Sequence, residues 1–431
     1  EDGRRVAAVA FLDLRDTARQ FYAQNLGLVT AILIVLAVSS IMLTTTLHHE
    51  VVAPVEAMMR LVLRFSKDPL TPLRLPPAPP PKELLLIHNV LIKLATLLQQ
   101  AYGAAGAKII RNKLMGADTA GGMSSQLTGN IVQAFFGFCD IRNFTDLTEV
   151  LQADVMKVVN NVAEHVHKAV TDSAGFPNKN IGDAFLLVWK PVSGYTGMED
   201  TAKEALRSYI RIIIQVARCP VLKKLARMDG IQQRLPGYRV KMGFGLHVGW
   251  AVEGAIGTEI KIDASYLSPH VNMSSRLEAA TKQYGVEILI SEDVVRLLSA
   301  PLRDLCRMID RVTVKGSSRP TCLYTYDVPP HPSEDVDACD VSLSAEEFFS
   351  KVPPDRSEEF RAMFFSALAN YLGGENGERA DWEQAAYELQ ECLVLCPADG
   401  PSQALLDYIR KKGVHRRAPP SWEGYRPLED K

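Results

Sequence analysis

An excess of charge of one sign is missing from this chain. Lys and Arg number 48 against 50 Asp and Glu, so the net charge is near -2 and nothing global attracts nucleic acid. Any basic site has to be local. Paired cysteines are missing too: the seven present (Cys139, Cys219, Cys306, Cys322, Cys339, Cys392 and Cys396) are odd in number, scattered and free of any CxxC. That excludes a disulfide framework and fits thiols in a reducing compartment. Cys392 and Cys396 lie one helical turn apart but have no histidine partner, so they read as structural. At 431 residues the chain exceeds what one hydrophobic core serves, and two or more packed units are expected. It begins with Glu1 rather than Met, as a piece of something longer would.

One apolar run is long. Residues 26–47, LGLVTAILIVLAVSSIMLTTTL, carry no charge and have the length of a single membrane span. A buried core helix of that length would show a polar stripe, and a cleaved signal would be shorter with small residues at its end. Arg4, Arg5, Arg15 and Arg19 precede the run and Arg60, Arg64 and Lys67 follow it, a balance that sets no orientation. Within residues 1–25, VAAVAFLDL reads as the last strand of a truncated extracytoplasmic region. Residues 48–114 form a stalk: a helical VVAPVEAMMRLVLRF, a proline-rich connector, and a second helix. In that helix Leu84, Ile87, Leu91, Leu94, Leu98 and Ala101 alternate steps of three and four, the seam of a short coiled coil. Helix, connector, helix resembles a HAMP-like relay; a plain dimerising stalk has the same pattern, and both pair two chains.

The chemistry lies further on. IVQAFFGFCDIRNFTDLTEV begins as a buried strand and ends in Asp140 before a polar turn and a helix, which fixes a carboxylate at a strand end. GFPNKNIGDAFLLVW reads as strand, tight Gly182-Asp183 turn, strand, and places a second carboxylate at a hairpin tip. If the hairpin packs beside the first strand, Asp140 and Asp183 share two divalent ions, the arrangement that clamps attacking and leaving oxygens in phosphoryl chemistry. Hard oxygen ligands favour Mg2+, with Mn2+ as its substitute. In HVNMSSRLE, Asn272 and Arg276 are four apart and share a helix face. His247 sits inside a strand pattern and reads as a packed core residue. Gly249, Gly254 and Gly257 suggest a hairpin with close backbone approach rather than a dinucleotide fingerprint.

The four blocks FCDIRNFTD, KNIGDAF, GFGLHVGWAVEGAIG and HVNMSSRLE resemble, in order and spacing, those of class III adenylate and guanylate cyclases, over residues 130–328. SYLSPHVN looks most like cyclases of single-celled eukaryotes. The resemblance implies an α+β protein with a ferredoxin-like βααβαββ core, preceded by one transmembrane helix and a coiled-coil stalk and followed by a small helical hairpin. It implies two Mg2+ (or Mn2+) ions per site on Asp140, Asp183 and the Ile141 carbonyl. It also implies that backbone N–H groups at Phe144 and Thr145 meet the phosphates, that Asn272 orients the ribose, and that Arg276 stabilises the pentavalent phosphorus. Base choice falls on Lys179, where adenylate cyclases carry Lys and guanylate cyclases usually carry Glu, and on Ser265, with Asp263 two residues earlier as its substitute. Ser317 stands where the family commonly has a second lysine for the triphosphate, leaving Lys315 or Arg319 to replace it.

The implied activity is conversion of ATP to cyclic AMP by a homodimer. Guanylate cyclase and a catalytically silent nucleotide-binding signalling module are the alternatives. In homodimeric relatives one chain gives the metal carboxylates and its partner gives the base-reading and transition-state residues, and this chain holds both sets. Nucleotide triphosphate and reduced thiols place the catalytic domain on the cytoplasmic side of the membrane. Behind an acidic linker, residues 341–412 form two amphipathic helical patterns. The spacing of Ala367, Tyr371, Trp382, Ala385 and Pro397 there resembles a tetratricopeptide-type hairpin, expected to pack on the cyclase domain. Residues 413–431 read as extended.

Overall fold

The computed structural model describes residues 15–67, 89–90, 92–93, 96–97, 129–191, 197–257, 262–314, 319–327, 356–374, 376–413 and 417–428. The N-terminal apolar run VAAVAFLDL, the proline-rich connector, all six residues of the proposed heptad seam, Lys315 and Ser317 lie outside them. The chain divides into two compact units, residues 1–101 with 110–117, and residues 102–109 with 118–431.

In the first unit, α1 (Arg15–Leu47) passes through a π-helical turn (His48–Val52) into α2 (Ala53–Lys67). The stretch Arg15–Arg64 is long and apolar enough to cross a membrane, and no side chain in its most apolar window is buried. Leu33, Leu36 and Ile41 stand about 60 % exposed, a surface that water disfavours and lipid does not.

The second unit is built on a nine-stranded sheet. Its elements are β1 (Asn130–Ile141), α3 (Phe144–Leu151), α4 (Val155–Asp172), β2 (Phe176–Ile181), β3 (Ala184–Trp189) and α5 (Met198–Arg218). Two short helices follow, α6 (Pro220–Ala226) and α7 (Asp229–Arg234), then β4 (Met242–Gly257), β5 (Ile262–Leu267), α8 (Pro269–Tyr284) and β6 (Ile288–Ser291). After α9 (Glu292–Val295) and α10 (Ala300–Leu305) come β7 (Cys306–Thr313) and β8 (Thr321–Tyr326). The tail contributes α11 (Glu358–Leu372), α12 (Trp382–Leu395), α13 (Gly400–Lys412) and β9 (Arg426–Pro427). The strand order is β2-β3-β1-β4-β6-β8-β7-β9, with β5 paired to β4. The core is therefore a mixed α+β sheet larger than the expected βααβαββ string, which omits one strand of the β2-β3 hairpin and everything after β5.

Two apolar layers cover the sheet. On one face Val158, Val162 and Val166 of α4 and Leu206, Tyr209 and Ile213 of α5, at steps of three and four, bury Phe135, Cys139, Phe244 and Leu246. On the other, Leu277, Ala280 and Tyr284 of α8 join Ile309, Val312 and Leu323 of the sheet and the apolar side of the tail. The tail thus has three helices where the sequence showed two patterns, and its last residues pair with β7 through Val312–Arg426 and Thr313–Pro427.

Candidate active site

Strand β4 decides where α8 lies. Alternate residues of a strand share a face, and Gly243, Gly245, His247 and Gly249 are on the one that meets the helix. A Cβ on Gly245 would run into the Ser274 carbonyl and the Glu278 N–H, and one on Gly249 into the His270 ring. The three glycines let α8 lie directly on the strand. His247, 3 % exposed, completes the row; its Nδ1 is 2.7 Å from Ser291 Oγ and its Nε2 is 2.8 Å from His270 Nδ1. Burial, and then the neighbouring His270, lower its pKa to about 3, so it is neutral at physiological pH and serves to pin the first turn of α8. Ser268 caps that helix by accepting from the His270 N–H and donates from the same hydroxyl to the Trp250 carbonyl.

Asp140 sits near the end of β1, 8 % exposed, paired in register with Ala184 of the hairpin and Gly243 of β4. Gly182 at the tip has φ +66°, a left-handed conformation that turns Asp183 back toward β1. The Ile141 N–H donates to the Asp183 carbonyl at 3.3 Å, which fastens tip to strand end. The two carboxyls are within hydrogen-bonding reach. Burial first, then that bond and the charge of Asp140, push Asp183 from 3.8 up to about 6. A cation sits nearby that sequence reasoning missed: Lys282 Nζ of α8 is 3.4 Å from Asp140 Oδ2. At a sequence separation of 142, no local pattern shows that pair. Arg142, the next residue along from Ile141, is held by Glu278 at 3.1 Å and by Thr281.

Asn143 precedes α3 with φ 56°, and Phe144 and Thr145 are the first two residues of that helix, where N–H groups have no intrahelical acceptor. Arg234 fixes α3 through Asp146 at 2.7 Å and Glu149 at 2.5 Å. Lys179 on β2 reaches Asp263 Oδ2 at 3.9 Å. Ser265 lies two residues on, on the same face of β5, so the structure brings Lys179 to the residue named as the substitute. Asn272 is exposed and Arg276 half-buried, one turn apart on α8.

Asn272 lies toward the end of the β4 glycine row away from Asp140, and α8 then runs back toward it, with Glu278 over Gly245 and against Gly243. Asp140 is opposite Gly243, whereas the first turn of α8, with His270 and then Asn272, lies over Gly249. Six strand residues separate those positions, roughly 20 Å at about 3.3 Å per residue.

The donor set fits a divalent cation: two hard carboxylates held together, one of them reluctant to ionise without a compensating charge. Among the described residues no group of three or more His, Cys, Asp or Glu side chains could hold a metal ion. Because Asp183 titrates near 6 when folded and near 3.8 when unfolded, its ionisation takes stability from the metal-free fold as pH rises through that window. A cation recovers it. Mn2+ affinity should therefore fall about tenfold per pH unit below pH 6, and Asp183→Asn should flatten that slope, as calorimetric titration would read.

Residues 130–327 match the family model described as the adenylate and guanylate cyclase catalytic domain. This part of the chain is a class III adenylate/guanylate cyclase catalytic domain. A model described as the RasGEFs all helical domain matches residues 14–115. An adenylate cyclase of Anabaena cylindrica is 35 % identical over 190 residues, 43 % of this chain and 35 % of its own length. The terminal-differentiation-specific adenylate cyclase of Dictyostelium discoideum is 31 % identical over 280 residues, 64 % of this chain and 11 % of its own. The chain thus spans about a third and about a tenth of these two relatives. One is cyanobacterial, so the resemblance extends beyond single-celled eukaryotes. Among solved structures, the adenylyl cyclase CyaB of P. aeruginosa aligns at a TM-score of 0.36 with 26 % identity, over 46 % of this chain and 95 % of that one.

Proposed function

We propose that this chain is a membrane-anchored adenylate cyclase that converts ATP to cyclic AMP and pyrophosphate at a homodimer interface. The observation that carries the reading is the Asp140–Asp183 carboxylate pair where hairpin tip meets strand end. Asp140, Asp183 and the Ile141 carbonyl would hold two Mg2+ or Mn2+ ions, which supply Lewis acidity to the ribose hydroxyl and offset charge on the triphosphate. The ribose 3′ hydroxyl gives its proton to water and its oxygen bonds to the α-phosphorus, the bond from that phosphorus to the bridging oxygen breaks, and pyrophosphate leaves with that oxygen. N–H groups at Phe144 and Thr145 bind phosphate oxygens. Lys315 or Arg319 adds a charge to the triphosphate. Asn272 orients the ribose, and Arg276 spreads its guanidinium over the crowded phosphorus.

A twofold pair of chains is part of the proposal, because in homodimeric relatives one chain gives the metal carboxylates and its partner gives the base-reading and transition-state residues, and this chain holds both sets. The helix Arg15–Arg64 would anchor each chain, with the catalytic unit in the cytoplasm where nucleoside triphosphates are. Lys179, with Asp263 beside it and Ser265 on the same face, reads the adenine: the ammonium donates to a ring nitrogen, and the carboxylate accepts from the exocyclic amine.

The deciding assay supplies purified protein with ATP or GTP and Mg2+ or Mn2+, and measures cyclic product for wild type and Asp140→Ala. Cyclic AMP from wild type and a loss of about a thousandfold in the variant are expected. No product with either nucleotide and either metal would instead mean a silent nucleotide-binding module. Lys179→Glu should lower the ATP:GTP preference by at least about tenfold, since a carboxylate accepts from guanine where the ammonium donated. An unchanged preference would remove Lys179 from base reading.

A further inference from the structure

The tail is joined to the cyclase sheet by more than apolar packing, and its polar joints converge on one end of α8. Tyr284, the last residue of α8, is fully buried and donates its hydroxyl to Asp310 Oδ2 at 2.7 Å. The same oxygen is 2.7 Å from Arg426 Nε, which arrives on the short strand β9 and is 2 % exposed. The Arg426 guanidinium also lies over the rings of Tyr284, at 5.1 Å, and of Tyr408 in α13, at 4.6 Å. Gly285 ends α8 in the left-handed conformation, and the backbone of Gly400 packs directly on it: a Cβ on Gly400 would lie 2.8 Å from Gly285 Cα and run into the Tyr284 carbonyl. A second buried arginine secures the approach. Arg307 of β7 bridges Asp327 at 3.0 Å and Asp399 at 2.7 Å, and Asp399 caps α13 by accepting from the Ser402 N–H.

Apolar residues could fill this junction at equal or lower cost, because desolvating buried charges offsets most of their attraction. What two arginines with fixed partners add is a single register between tail and sheet. The opposite end of α8 is already held by His247 and Ser268, so the helix is pinned at both termini with Asn272 and Arg276 between.

We propose that residues 356–428 are a clamp on the catalytic helix, in which Arg426, acting through Asp310 and Tyr284, is a positioning residue for Arg276. The proposal rests on the role given above to Asn272 and Arg276. Loosening the clamp leaves nucleotide binding largely in place and misaims the transition-state residue, so it acts on kcat more than on KM.

The test compares the full chain with two variants. Asp310→Asn combined with Arg426→Met removes both charges, so neither is left unpaired. Tyr284→Phe keeps the ring and removes one hydrogen bond. Ile212→Val, buried in α5 on the other face of the sheet, is the control for stability alone. We expect kcat to fall about tenfold in the double variant and about threefold in Tyr284→Phe, with KM for ATP within about twofold and the control unchanged. Amide hydrogen exchange should quicken along the C-terminal half of α8. If the double variant does not fold, Tyr284→Phe carries the comparison. A kcat within twofold of wild type in each folded variant, or a fall matched by the control, overturns the clamp. If wild type makes no cyclic nucleotide, the functional reading fails first, and exchange alone decides: unaltered protection of α8 in both variants then overturns the clamp by itself.

Discussion

Two inactive variants of this chain, Asp140→Ala and Arg276→Ala, should regain activity when expressed together. Each alone falls by about a thousandfold, since every site in either pair lacks one essential group. In a random mixture half the pairs are mixed, and each mixed pair has one site with both defects and one with neither. Recovery to about a quarter of the wild-type rate follows from that twofold arithmetic. The expectation comes from the proposed division of labour, in which one chain gives Asp140 and its partner gives Arg276. If one chain completed its own site, the mixture would stay inactive, and coexpression with a tag on each chain and assay of the doubly purified fraction separates the outcomes.

The second large effect is Gly245→Ala. One methyl group there meets the Ser274 carbonyl and the Glu278 N–H, backbone atoms of a helix that cannot yield locally. Tyr209 Oη, which donates to the Gly245 carbonyl at 2.9 Å from the other side of the sheet, prevents the strand from retreating. The helix has to lift, at a cost of about 3 kcal/mol or more, and Asn272 and Arg276 lift with it. Thermal unfolding and kcat should therefore both drop. Gly182→Ala is a useful contrast: no atom lies within 4 Å of its Cβ, so its left-handed φ alone costs about 1 kcal/mol.

The site residues proposed from the sequence share a local signature. Asp140 follows an apolar strand, Asp183 sits on a glycine turn, and Asn272 and Arg276 repeat at helical spacing; each is visible within a window of ten residues. The groups that sequence reading missed are those whose partners lie far along the chain. Lys282 meets Asp140 across the sheet, and Arg426 meets Asp310 by a two-residue parallel strand. No hydrophobic period marks so short a strand, and residues 413–431 read merely as extended. Asp263 was visible only as a substitute for Ser265, because strand register rather than residue type decides which of two same-face neighbours Lys179 reaches. The glycines of β4 were read from the hairpin end, Gly249 to Gly257, whereas the helix rests on Gly243, Gly245 and Gly249.

The packing of the tail bears on how the chain is cut for expression. The cyclase family model ends at residue 327, and a recombinant fragment stopped there would uncover Tyr284, Ile309, Val312 and Leu323, with Asp310 left beneath them without its arginine. Such a truncation presents a sticky greasy face to its neighbours and is set to precipitate. A productive boundary falls after Leu428, where the last strand has closed.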